Sequence, residues 1–141
     1  RHYFNSMHAR KGQPNWTWLV TAILFIVIMW LSTVSSTETL EEAEARTLSP
    51  REQLYASAAG FEDVQDIVLG RCSMCHAREP FWDGMHWAPK GVFLETTGDI
   101  TAQAREIYLQ AGVTHAMPPA NVSYMEPEER QLLVSWFRAA Q

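Results

Sequence analysis

Polarity disappears between Trp16 and Val34: W-T-W-L-V-T-A-I-L-F-I-V-I-M-W-L-S-T-V runs nineteen residues without a charge, Gly or Pro. At about 1.5 Å per residue, a helix here would span close to the roughly 30 Å hydrocarbon core of a bilayer. Trp16, Trp18 and Trp30 fall near its ends, where amphipathic rings favour the headgroup region. Further along, apolar residues recur at helical spacing instead. Val64, Ile67 and Val68 stand at i, i+3 and i+4 behind Glu62 and Asp63, a helix with carboxylates in its first turn. Ile100, Ala104, Ile107 and Tyr108 repeat the period between Asp99 and Gln110, with Gly112 as the stop. Glu126-Pro127-Glu128-Glu129 opens a last helix, Pro at N1, that presents Leu133, Trp136 and Phe137 to a core. No stretch alternates as a strand would. The expected fold is all-α, its first and last helices packed together and Trp136 in the core. Residues 77–98, carrying Pro80, Gly84, Pro89, Gly91 and Gly98, form a long irregular stretch that needs something to wrap around. The expected divisions are a segment 1–15, a span 16–34, a linker 35–54 and a domain 55–141. Glu41, Glu42 and Glu44 read as a solvated face of the linker or of a short surface helix.

The 141 residues carry a net charge of -5, unevenly placed. Residues 1–37 hold three basic residues and no acidic one, +3; residues 38–141 hold eight basic against sixteen acidic, -8. An acidic domain argues against nucleic acid as a partner. Arg10 and Lys11 ahead of the apolar run keep the N-terminus cytoplasmic and send residues 38–141 to the oxidising side. A cleavable signal peptide would do the same, but S-T-V-S-S-T-E-T-L lacks an A-x-A cleavage pattern, which favours a retained anchor. Opening on Arg1, the chain reads as a fragment or a processed product.

The chemistry is concentrated in C-S-M-C-H, residues 72–76, which holds both cysteines of the chain. This is the pattern for covalent attachment of one haem c: two thiols join the vinyl groups and the next imidazole binds the iron. If the motif begins helically, Cys72 and Cys75 share a face at i and i+3, and His76 lies under the ring. Three other readings use the same residues. A structural zinc site would need further ligands, with only His76, His86 and His115 nearby in sequence. A thioredoxin-like pair expects a βαβ setting, and a plain disulfide leaves the adjoining His unused. For the sixth iron position, Met117 in H-A-M-P-P leads, held in a loop stiffened by Pro118 and Pro119. Met85, Met125, His86 and His115 are its rivals, and Met74 sits within the attachment loop. A thioether opposite the imidazole raises the potential and closes the iron to small ligands, which suits electron transfer. His86, in W-D-G-M-H-W, fits the pocket lining or plain packing equally. No phosphate loop or nucleophile elbow suggests a hydrolase, and no catalytic side chain is identified.

C-S-M-C-H followed by H-A-M-P-P, with helices before and after, resembles the class I cytochrome c family over about residues 55–141. The resemblance implies Cys72 and Cys75 as haem attachments, His76 as proximal and Met117 as distal ligand, and a Pro89 carbonyl accepting the proximal imidazole N–H. More narrowly, R-C-S-M-C-H-A-R-E-P, A-P-K-G-V, A-R-E-I-Y-L-Q-A-G-V and H-A-M-P-P-A-N-V behind an apolar span resemble the C-terminal region of bacterial membrane-bound urate oxidases. That resemblance implies a preceding urate-binding membrane domain, with R-H-Y-F-N-S-M-H ending one of its loops, and electrons passing from urate through the haem toward the respiratory chain. The leading expectation is a membrane-anchored monohaem cytochrome on the periplasmic side of a bacterial inner membrane, with a terminal oxidase or another cytochrome as redox partner. The alternative is the cytochrome module of such an oxidase. A haem sensor or peroxidase would need an open sixth position, and a zinc protein would be colourless.

Overall fold

The computed structural model describes residues 16–33 and 39–141 of the chain. The expected segment 1–15 and Val34 lie outside the described residues. The chain divides into two units, Arg1–Thr37 and Glu38–Gln141.

In the first unit, α1 runs over Trp16–Thr33 as eighteen residues without a charged side chain. Its large apolar side chains stand exposed all around, from Trp16 to Leu31. The hydroxyls of Thr21 and Ser32 donate to the helix's own carbonyls at Thr17 and Met29, 2.9 and 2.8 Å away, so neither needs water as a partner. Among the described residues no helix is long and apolar enough to cross a membrane by itself. α1 comes nearest: ending at Thr33, it rises about 27 Å where the expected span ran on through Val34.

The second unit is helical, with no strand among the described residues. It begins earlier than expected. Residues 39–56, expected largely as linker, form α2 (Leu40–Ala45) and α3 (Pro50–Ala56), each opened by a reciprocal capping box, Thr39 with Glu42 and Ser49 with Glu52. Each box satisfies two orphan N–H groups, which lets helices this short persist. They also pack: Ala43 and Tyr55 are buried, and Arg46 pairs with Glu52 at 3.0 Å while its guanidinium covers Gly98. Glu41, Glu42 and Glu44 are exposed, as the sequence suggests.

α4 (Phe61–Arg71) starts after Gly60, whose φ of +83° suits only a residue without Cβ, and buries Phe61, Val64 and Val68. The third expected helix is broken into pieces. α5 (Thr97–Ala102) ends at Gln103, α6 is a single turn (Ala104–Ile107), and a π-turn follows over Tyr108–Val113. Gly112 does not stop the chain in the left-handed region. It is buried where a Cβ would meet Val134 Cγ2 at 2.9 Å, so its role is close packing against the last helix. That helix, α7 (Pro127–Ala139), carries Pro127 at N1 and a Glu126–Glu129 capping box, and buries Leu133, Trp136 and Phe137.

α4 packs against α7, as the periodicity predicts. Trp136 is 1% exposed and donates its indole N–H to the Tyr55 carbonyl at 2.9 Å. Tyr55 and Tyr108 stack on Phe137 with centroids 5.5 and 4.4 Å apart. This aromatic wedge, worth about 0.5–1.5 kcal/mol per ring pair beyond area burial, ties α3, the π-turn and α7 together and sets the frame for the irregular segments on either side of the cavity.

Candidate functional site

α4 feeds directly into the cysteine motif. Cys72 caps the helix, its N–H bonded to Val68 O at 2.9 Å, and then accepts from the N–H groups of Cys75 and His76 at 3.1 and 3.0 Å. The motif is therefore a tight turn continuing the helical path rather than a further turn of α4. Both thiols line one cavity of ≈350 Å³ whose walls are mainly apolar. Met74, Pro89, Val92, Leu94, Ile107 and Met117 are among its other lining residues, and His76 faces it as well. Such a volume lies within the roughly 300–1,000 Å³ typical of cofactor pockets.

His76 is held twice. Its ring Nδ1 lies 3.0 Å from Val92 O, and its own carbonyl accepts the Leu94 N–H at 2.7 Å. With Nδ1 as donor to that carbonyl, Nε2 is left with its lone pair, as a metal-ligating imidazole requires. The expected partner was the Pro89 carbonyl, and the structure corrects this. Pro89 lines the cavity, but its carbonyl accepts the Val92 N–H at 3.2 Å, closing the 3₁₀ turn Pro89–Gly91. That turn has φ of 57° at Lys90 and 65° at Gly91, and the Val92 carbonyl just after it meets the imidazole.

Met117, also on the cavity lining, sits in the segment between the π-turn and α7. Its N–H donates to Gln110 O at 2.9 Å, and its carbonyl accepts from Arg130 Nη1 at 2.9 Å. Its rivals are elsewhere. Met125 is 3% exposed within the hydrophobic core, and His115 lines a separate open hollow beside α7. His86, exposed, lies with its ring centroid 6.2 Å from that of Trp87, and neither it nor Met85 lines the cavity. Met74 lines it from the side of the thiols, its carbonyl occupied by the N–H groups of Phe81 and Trp82. The structure thus brings Cys72, Cys75, His76, Pro89 and Met117 to one cavity and leaves Met85, His86, His115 and Met125 outside it.

Burial pushes the Cys72 thiol up to about 12, with the neighbouring Cys75 adding to the rise, and burial raises Cys75 too. Both are therefore protonated near neutrality. A redox-active C-x-x-C pair needs the opposite, a thiol lowered toward the thiolate. Among the described residues no group of three or more His, Cys, Asp or Glu is arranged to hold a metal ion, so the zinc reading finds no ready ligand cluster there. The donor set that does converge is two thiols, one oriented imidazole and one thioether around an apolar cavity. That set fits a covalently held haem: the thiols could take its attachment, and the imidazole nitrogen and thioether sulfur could ligate its iron.

Two residues outside the sequence expectations also belong to the site. Arg71 lines the cavity and ties α4 to the start of α7 and the segment before it, donating to Glu129 at 3.0 Å and to Ser123 O at 2.9 Å. Arg130 bonds the backbone of the Met117 segment. Neither carries a sequence signal, since a basic residue in an amphipathic helix reads by default as surface.

Compared with protein-family models, with curated proteins and with solved structures, the chain matches nothing.

Proposed function

We propose that this chain is a membrane-anchored monohaem c-type cytochrome, carrying single electrons on the periplasmic side of a bacterial inner membrane toward the respiratory chain. The observation that carries the reading is the convergence of Cys72, Cys75, His76 and Met117, drawn from two segments about forty residues apart, on one apolar cavity. Cys72 and Cys75 would hold the haem through thioether links to its vinyl groups. His76, its ring fixed by the Val92 carbonyl, would offer Nε2 to the iron. Met117 would offer its thioether as the second ligand. The bound haem contributes a one-electron iron couple at a potential raised by sulfur ligation. The chain's own work is to fix both ligands, keep water from the iron and leave an edge open for a partner.

α1 serves as the anchor: it is uncharged, the hydroxyls of Thr21 and Ser32 are bonded within it, and its Trp residues suit both interfaces. The few ångströms between its described length and a bilayer core are within what local thinning absorbs.

The test is to express the full chain in a host that matures c-type cytochromes, then denature it. Haem that stays with the polypeptide in the parent, and is lost from Cys72→Ser and Cys75→Ser, supports the reading. A colourless parent chain overturns it. In the folded protein, CO should bind reduced Met117→Ala and not the reduced parent.

A further inference from the structure

Arg130 is 7% exposed, although its guanidinium is a full charge within a small domain. Burying such a group is costly unless its N–H donors find partners, and all three of its recorded partners belong to the segment that ends and follows the π-turn. Nη1 donates to Ala111 O at 2.6 Å and to Met117 O at 2.9 Å, and Nη2 donates to Asn121 Oδ1 at 3.1 Å. Asn121 in turn is bonded both ways to the backbone of Met125, Oδ1 accepting its N–H at 3.0 Å and Nδ2 donating to its carbonyl at 3.1 Å. The π-turn leaves Ala111 and Gln110 with carbonyls that no helical N–H takes. One is met by Arg130 and the other by the Met117 N–H. The rest of the methionine segment is held by short-range bonds, Thr114 Oγ1 to Leu109 O at 2.8 Å and the Asn121 N–H to Pro118 O at 3.0 Å, while residues 113–117 are exposed.

We propose that Arg130, with Asn121, is the positioning clamp of the methionine ligand: its guanidinium fixes the Met117 backbone against the π-turn so that the thioether stays at the cavity. The inference rests on the haem reading above and goes beyond it. Arg130 does not touch the iron. It acts through Met117, and its own helix, α7, is anchored in the core by Leu133 and Trp136, so the clamp couples ligand retention to the packing of the C-terminal helix. Arginine suits the task because one planar group reaches three acceptors at once, where lysine offers a single point.

The test uses the full chain with haem attached and reads the affinity of the ferric protein for added imidazole, which competes with the thioether for the iron. It is accompanied by the far-red absorption band that methionine–ferric haem shows. Arg130→Met should raise imidazole affinity roughly ten- to a hundredfold, the loss of charge-assisted hydrogen bonds expressed as an equilibrium ratio, and weaken the far-red band. Arg130→Lys should fall between parent and Arg130→Met. Asn121→Gly, which suits the φ of 54° there and leaves Arg130 in place, should give a smaller rise and serves if Arg130→Met fails to fold. A role confined to folding would lower the melting temperature of these variants with imidazole affinity unmoved, and that result overturns the clamp alone. A parent chain without covalent haem, or one whose imidazole affinity does not change in Met117→Ala, overturns the ligand reading and the clamp with it.

Discussion

Replacing Gly112 by Ala separates two roles for this glycine, a helix stop and a point of close approach. A Cβ built on Gly112 lies 2.9 Å from Val134 Cγ2 and 3.6 Å from the Arg130 carbonyl. Carbon pairs prefer about 3.5–4.0 Å, so the first contact must give by more than half an ångström. Val134 has little freedom to oblige, because a β-branched side chain in a helix holds essentially one rotamer. The backbone of α7 lies directly beneath and blocks the turn from sinking. Overpacking of this kind costs about 1–3 kcal/mol, offset by about 0.5–1 kcal/mol from alanine's lower backbone entropy loss. The net expectation is a destabilisation of about 1 kcal/mol. Val134→Ala removes the obstructing methyl, and in that background Gly112→Ala should be neutral or slightly stabilising. Chemical denaturation of the four proteins of this cycle, followed by circular dichroism in detergent, should therefore give a coupling of about 1–3 kcal/mol. If Gly112→Ala stabilises the parent, or has the same effect in both backgrounds, the close-approach account fails. Because Gln110 O accepts the Met117 N–H and Ala111 O shares Arg130 with the Met117 carbonyl, the same substitution should also loosen the Met117 segment.

Truncating Leu133, fully buried in the hydrophobic core, to Ala should cost about 2–5 kcal/mol of stability, measured by the shift in denaturant midpoint. Asp99 should give an acid-limb signature. Burial raises its carboxyl, but hydrogen bonds from Arg78 at 3.0 Å and from the Thr96 backbone outweigh this and hold it below 3.8. A depressed folded value contributes stability that is fully present above the ordinary range and lost as pH falls through the lowered one. Asp99→Asn should accordingly flatten the pH dependence of stability below about pH 4, and an unchanged acid limb would contradict the assignment. On the proposed electron-transfer role, the net -8 of residues 38–141 calls for a basic docking surface on at least one redox partner, so electron-transfer rates measured by stopped flow should fall as salt rises. Salt-independent rates would remove that surface from the picture.

The sequence by itself determined the all-α class, the packing of α4 on α7, the core positions Val64, Val68, Leu133, Trp136 and Phe137, and the starting point of the last helix. Each rests on a local pattern, apolar spacing at 3.6 residues or a proline and carboxylates at a helix start, and local patterns survive without tertiary context. It also named Cys72, Cys75 and His76 at the cavity, because the C-x-x-C-H spacing is itself local, whereas Met117 rested on its Pro-Pro loop and Pro89 on a family resemblance. The capping boxes of α2 and α3 were legible too, in T-x-x-E and S-x-x-E, but the polar, alanine-rich composition around them resembles a linker until Ala43 and Tyr55 are seen buried. What only the tertiary structure decided is how distant backbone groups are shared. Pro89's carbonyl is spent on its own turn, so Val92 takes the imidazole. Met117 and Met125, alike in sequence as flexible apolar side chains, are separated because Asn121 pulls the Met125 backbone into the core while Arg130 holds that of Met117 at the cavity. Gly112 reads as a stop until α7 is placed against it. In each case the deciding partner lies several residues or more away in the chain, brought into reach by how the elements pack, and no periodicity or motif encodes such a meeting.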